Sequence, residues 1–232
     1  MTLRTLLKRD VQHGRKTIAD NKHAITVWQH ELQALSTPLP RKGIDYAYGA
    51  PDLGRLKAAG NTFICRYLGG DESKDLTEQE AIHLSAAGFS LITVYEGAAT
   101  RALAGQAGGE ADARNAQHLL VQIGGAAKNA VVYFAVDFEA QPDQIPLIRA
   151  YFHGATRQLG GTRVGIYGGY EAVHEIMSLD NVRYGWQTYA WSGGRWSPHA
   201  QLRQIRNGLE GYGISYDEDR ALTLDFGQWR RT

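Results

Sequence analysis

The residues of this chain best suited to chemistry are carboxylates that end apolar runs. The clearest case is VVYFAVDFEA, Val131 to Ala140, where β-branched and aromatic residues lead into Asp137 and Glu139. Such a run is expected to form a buried strand. Residues i and i+2 of a strand share a face, so the D-x-E spacing predicts both acids on one side. An ionised Asp137 would then raise the proton affinity of Glu139 by like-charge repulsion, and partial burial would add to it. A protonated acid beside a stabilising carboxylate is what glycosidic-bond hydrolysis requires. Two acids that simply end a strand in solvent have the same ten-residue pattern, so the surroundings must decide.

Those acids need a scaffold, and the chain alternates strands and helices from Gly43 onward. Strands are expected at GIDYAYG, TFICRYL, SLITVYEG, VVYFAVDFE, TRVGIYGG, YGWQTYAW, AQLRQI and ALTLDFG. Helices are expected at PDLGRLKAAG, LTEQEAIHLSAAG, GGEADARNAQHLLVQIG, DQIPLIRAYFHGATRQLG and YEAVHEIMSL. In the second helix Thr77 suits the N-cap, Glu80 the capping-box position and Gly88 the end. Eight strands with helices between most of them predict a parallel (β/α)8 barrel of the TIM type, with a doubly wound sheet as the alternative. No long amphipathic run follows YGWQTYAW, so the last helices are short or missing.

Residues 1–38 are read as an N-terminal helical extension and linker, and 39–232 as the barrel. STPLPRKG, Ser36 to Gly43, forms the Pro-containing connection. Val11, Ile18, Ile25 and Leu32 recur every seven residues, with Leu7, Trp28 and Leu35 three residues after members of that register. That spacing suits either an amphipathic helix packed on the main domain or a coiled-coil dimer; Gly14 and Asn21 interrupt the seam. Monomer and dimer both remain open.

Barrel enzymes gather their chemistry at the C-terminal ends of the strands. The expected ends carry Asp45 and Tyr46, Arg66 and Tyr67, Tyr95 and Glu96, then Asp137 and Glu139. Tyr167 follows, then Gln187, Tyr189 and Trp191, Gln204, and finally Asp225. Each alone is explicable as core or as a solvated strand end. Together, Asp45, Asp137, Glu139 and Asp225 make a candidate catalytic set. Arg66, Tyr67, Tyr95, Tyr167, Gln187, Trp191 and Gln204 make a candidate substrate lining, since aromatic faces stack on sugar rings and Gln and Arg bond hydroxyl and acetamido groups.

Composition narrows the alternatives. The 232 residues are 43% hydrophobic and 21% charged with a net charge of +1, a globular composition without the basic stripe of a nucleic-acid binder. No window approaches a membrane span. Cys65 is the only cysteine, so neither an intrachain disulfide nor a cysteine metal site is expected. The eight histidines form no H-E-x-x-H pair, GIYGGY lacks dinucleotide-loop spacing, and there is no G-x-S-x-G elbow. No cofactor and no metal are expected, although clustered acids could hold Mg²⁺ or Ca²⁺. MTLRTLLKRD lacks an apolar core and a cleavage site, which predicts a protein cytoplasmic as made that reaches the cell wall only by lysis or another route.

GIDYAYG, FICRYL, LTEQE with AAGFSLITVYEG, VVYFAVDFE, VGIYGGY, WQTYAWS, QLRQ and LTLDFGQW together resemble the glycoside-hydrolase-like barrel domain called domain of unknown function 1906. That family occurs in bacterial and phage wall-associated proteins and is similar to the family 25 muramidases. The resemblance covers roughly Gly43 to Trp229. It implies that Glu139 is the general acid and Asp137 the residue that orients the substrate's 2-acetamido group, with Asp45 and Asp225 completing the acidic site. The reaction implied is retaining, substrate-assisted cleavage of peptidoglycan. A non-catalytic carbohydrate- or wall-binding barrel, or a phage virion-associated protein, is the rival reading, because a fold does not carry its activity with it.

Overall fold

The computed structural model describes residues 12, 15–18, 21, 22, 25 and 38–231, apart from 70, 71, 127, 128, 179 and 180. The chain divides into two compact units, Met1–Pro38 and Leu39–Thr232. In the first, the described residues before Pro38 are helical, and Ile18 and Ile25 are exposed. The heptad positions Val11, Trp28, Leu32 and Leu35 lie outside the described residues.

The second unit is a closed eight-stranded barrel in sequential order. Its strands are β1 (Arg41–Asp45), β2 (Asn61–Leu68), β3 (Ser90–Tyr95), β4 (Val132–Val136), β5 (Val164–Gly168), β6 (Tyr184–Thr188), β7 (Leu202–Gly211) and β8 (Ile214–Ala221). Five α-helices alternate with the early strands: α1 (Leu53–Ala58), α2 (Glu78–Ala86), α3 (Gly105–Gln122), α4 (Ile145–Leu159) and α5 (Tyr170–Met177). Asp52 caps α1 by accepting from the Arg55 amide at 3.0 Å. Thr77 caps α2 through the Glu80 amide at 3.2 Å. Glu80 does not return to the cap, because its carboxylate is held by Arg66 and Tyr46.

The eighth strand departs from the sequence reading. Strands β1 to β7 pair in parallel, but β8 is ISYDEDRA rather than ALTLDFG and runs antiparallel to both β7 and β1. The cause is the connection. Tyr212 and Gly213 link β7 to β8 with φ of 53° and 83°, the two positive angles of a tight hairpin. Two residues cannot form the crossover that a parallel strand needs. ALTLDFG therefore runs on beyond the opposite end of the barrel.

Two apolar layers hold the barrel. Outward-facing Ile44, Ile64, Leu91, Phe134, Val136 and Ile166 pack under the helices. Inward-facing Phe63, Cys65, Ile92, Val94, Tyr133, Trp186 and Phe226 fill the interior. Gly43 and Gly165 make room for the large rings: a Cβ at Gly43 would lie 2.2 Å from Phe63 and one at Gly165 2.7 Å from Tyr133. Phe226 closes the N-terminal end, its ring 4.9 Å from that of Phe63 and its carbonyl accepting from the Tyr133 hydroxyl. This apolar layer gives way to inward-facing carboxyls toward the C-terminal mouth.

Candidate active site

Alternation along the strands continues the inner layer upward into a polar floor. Asp45 follows Gly43 on β1, Tyr67 follows Cys65 on β2, and Gln204 follows Leu202 on β7. On β8, Asp219 and Asp217 precede Ala221 by two and four residues. Since β8 runs downward, its early residues lie at the mouth, and Asp217 pairs in register with Asp45.

Gln204 joins these groups. Its amide nitrogen donates to Asp45 Oδ2 and Asp217 Oδ2, both at 2.9 Å, and its oxygen accepts from the Tyr167 hydroxyl at 3.0 Å. The Gly208 amide donates to Asp217 Oδ1 at 2.8 Å, and Trp186 Nε1 to Asp219 Oδ1 at 2.9 Å. Asp219 Oδ2 is buried with no other partner, which a proton shared with Asp45 satisfies. Burial, and then the neighbouring Asp217, push Asp45 up to about 7. Asp219 rises well above the carboxylate range through burial and Asp45, and Asp217 rises through burial. Asp45 and Asp219 thus form a pair that holds a proton well above the usual carboxylate range.

Asp137 stands one residue beyond β4 on the inward register. Burial raises its proton affinity first and Glu96 second, against the opposing effect of Lys74. Lys74 binds Glu96 at 2.5 Å and lies 4.5 Å from the centre of the Tyr67 ring. A cleft of about 270 Å³ opens between the end of β1 and the β7–β8 hairpin, lined by Asp45, Tyr48, Tyr67, Tyr216 and Asp217 among others.

Several expected site residues lie elsewhere. Because β4 ends at Val136, Asp137 and Glu139 do not share a strand face, and Glu139 is exposed beyond it. Asp225 follows the downward β8 to the opposite end of the barrel, where it accepts from Tyr184 at 3.1 Å and pairs with Arg183 at 3.2 Å. Arg66 points outward, bonding Glu80 at 2.7 Å and the Tyr46 carbonyl at 2.5 Å. Tyr95 also points outward, accepting from Asn115. Gln187 braces the loop after β6 through Ser192, Arg195 and the Ser197 amide. Trp191 sits in that loop with φ of 54°, half exposed, near the turn after β5. Tyr67, Tyr167, Gln204 and Asp45 do converge. Asp217, Asp219, Trp186 and Lys74 were missed; the G-Y-G turn before an alternating Y-D-E-D run was the available signal for the first two.

The arrangement offers acids in different protonation states at the mouth of a rigid barrel, a setting suited to proton donation. Among the described residues no cluster of His, Cys, Asp and Glu has the makings of a metal site, and no helix is long and apolar enough to cross a membrane.

No curated protein matches the chain. Among solved structures, the Mycobacterium tuberculosis Tat-secreted protein Rv2525c, in complex with L-tartrate, is 26% identical with a TM-score of 0.75, over 83% of this chain and 100% of that one. The spore cortex lytic enzyme SleM of Clostridium perfringens shares the fold at 13% identity and a TM-score of 0.57, over 80% and 68% of the two chains. A muramidase from Trichobolus zukalii does so at 16% and 0.54, over 77% and 92%. The expectation of a protein that is cytoplasmic as made is corrected by the first of these, because that relative is Tat-secreted. A model of the Rv2525c-like, glycoside hydrolase-like domain matches residues 54–221, most of the barrel, and the chain belongs to that family.

Proposed function

We propose that the protein is a muramidase-like glycan hydrolase of the bacterial cell wall, acting outside the cytoplasm as its Tat-secreted relative suggests. Glu139 protonates the glycosidic oxygen. Asp137 orients the 2-acetamido group whose oxygen attacks the anomeric carbon. Asp45, Asp217 and Asp219 form the acidic floor, with Tyr67, Tyr167 and Gln204 along the groove. The observation that carries this reading is Asp137, half-buried at the end of β4 and holding its proton above the usual carboxylate range in the mouth of a glycoside hydrolase-like barrel. A partly desolvated acid is suited to hydrogen-bonding an amide and supporting its attack.

Digestion of purified peptidoglycan, with the soluble fragments identified by mass spectrometry, tests it. Glu139→Gln is expected to lower turnover by about two orders of magnitude or more, because the transferable proton is lost while shape is kept. Retained hydrolysis would remove Glu139 from the role of acid. The exposed position of Glu139 favours a second reading, a wall-binding barrel without catalysis. Binding to peptidoglycan with no fragments released would establish that one.

A further inference from the structure

The acids of the barrel include two contrasting groups. Glu80, Glu96, Asp112 and Glu218 each face a cation of the chain itself: Arg66, Lys74, Arg101, and the pair Arg206 and Arg220. Asp45, Asp217 and Asp219 instead receive their hydrogen bonds from neutral donors, namely Gln204, Tyr67, Trp186 and the Gly208 amide. Among the described residues no Lys or Arg forms an ion pair with these three neighbouring carboxyls; burial raises the hold of each on its proton, and the neighbouring acids add to it for Asp45 and Asp219. Two of them, Asp45 and Asp217, line the cleft against the β7–β8 hairpin, with tyrosine rings beside them.

Aromatic faces attract a desolvated ammonium through the ring quadrupole, and a cation placed beside raised carboxyls favours their ionised form and pairs with it. The cleft volume of about 270 Å³ is of the order of one sugar ring. Tyr48, 57% exposed, stands at the rim. A hard metal ion suits the cleft less well, since the described residues offer no ligand cluster for one.

We propose that this cleft is a subsite for a hexosamine bearing a free, protonated amino group, so that the protein prefers de-N-acetylated glycan at this position. The inference rests on the reading of the barrel mouth as a glycan groove, and it adds a selection that an N-acetylated sugar does not satisfy. On binding, the ammonium faces Asp217 and Asp45 and favours their ionised forms, so that a proton held among the three carboxyls passes to solvent.

Calorimetric titration of the full chain carrying Glu139→Gln, with glucosamine trimer and with N-acetylglucosamine trimer at neutral pH, tests it. The amino form is expected to bind about tenfold more tightly, an advantage that shrinks as salt is added. Asp217→Asn keeps the size of the side chain while removing its charge and one of its two accepting oxygens, and is expected to bring the two sugars to near-equal affinity. Tyr48→Ala, at an exposed position, is expected to weaken both. Equal or tighter binding of the acetylated trimer overturns the proposal, as does a preference that survives Asp217→Asn or full affinity in Tyr48→Ala. Peptidoglycan hydrolysis without amine preference sinks this inference alone, whereas amine preference without hydrolysis supports it and sinks only the catalytic reading.

Discussion

Replacing Asp45 by asparagine removes the titrating group that the fold perturbs most measurably. In an unfolded chain an aspartate gives up its proton near pH 4. In the native barrel Asp45 holds it up to about 7. Between those values the native state binds more protons than the unfolded state, so the stability this group contributes is full below about pH 4 and lost as pH rises through 7. A gap of about 3 pH units at 1.36 kcal/mol each makes that loss at most about 4 kcal/mol. Asp219 shares the proton, so the pair enters once. Asparagine does not titrate in this range, and its side-chain oxygen can still accept from Gln204. The variant is therefore expected to be no more stable than the parent near pH 4 and more stable near pH 7.5. The difference should widen across that interval by up to about 4 kcal/mol. Urea unfolding followed by tryptophan fluorescence at a series of pH values reads it directly. Taking the difference between the two proteins cancels titrations elsewhere, such as that of Glu218, whose opposite shift weakens the fold in acid. A difference that is flat across the range, or that shrinks as pH rises, would refute the buried-proton argument.

Further outcomes are expected. Arg66→Met leaves Glu80 without its buried partner and should cost about 3 kcal/mol in urea unfolding, because an uncompensated charge remains. Gly109→Ala and Gly154→Ala should each destabilise by about 2 kcal/mol or more despite alanine's better helix propensity, since their Cβ atoms would fall 1.9 Å and 2.1 Å from the Tyr151 and Gln106 carbonyl oxygens where α3 and α4 meet. EDTA should leave the thermal melting temperature unchanged; a drop restored by Mg²⁺ or Ca²⁺ would reveal a cation site. Deleting residues 1–38 should leave a folded barrel, read by circular dichroism. Light scattering on both forms distinguishes a coiled-coil dimer, lost on truncation, from a monomer throughout.

Much of the scaffold was legible because its signals are local. Strands β2 to β6 contain apolar or aromatic runs, most of them bounded by Gly-containing turns, and helices carry start signals such as Thr77 or apolar stripes such as that of Ile148, Tyr151, Phe152 and Ala155. Asp45 and Asp137 could be placed at strand ends because they directly follow such runs. The shorter ISYDEDRA run was overlooked because three of its eight residues are acidic, which masks a strand whose partners lie on β1 and β7 rather than nearby in sequence.

The sequence by itself determined the class of fold, the order of the elements up to β7, and the presence of acids at the first and fourth strand ends. Only the tertiary structure decided which of those polar residues meet. Barrel strands are buried on both faces, so alternation distinguishes the two sides without saying which one is inside. Arg66, Tyr95 and Gln187 fall on the outer face, while Tyr67, Tyr167 and Gln204, indistinguishable from them by composition, fall on the inner. Closure decided the rest: turning β8 downward brought Asp217 and Asp219 to the mouth and carried Asp225 to the far end, because a strand's direction is set by its connection and partners rather than by its own residues.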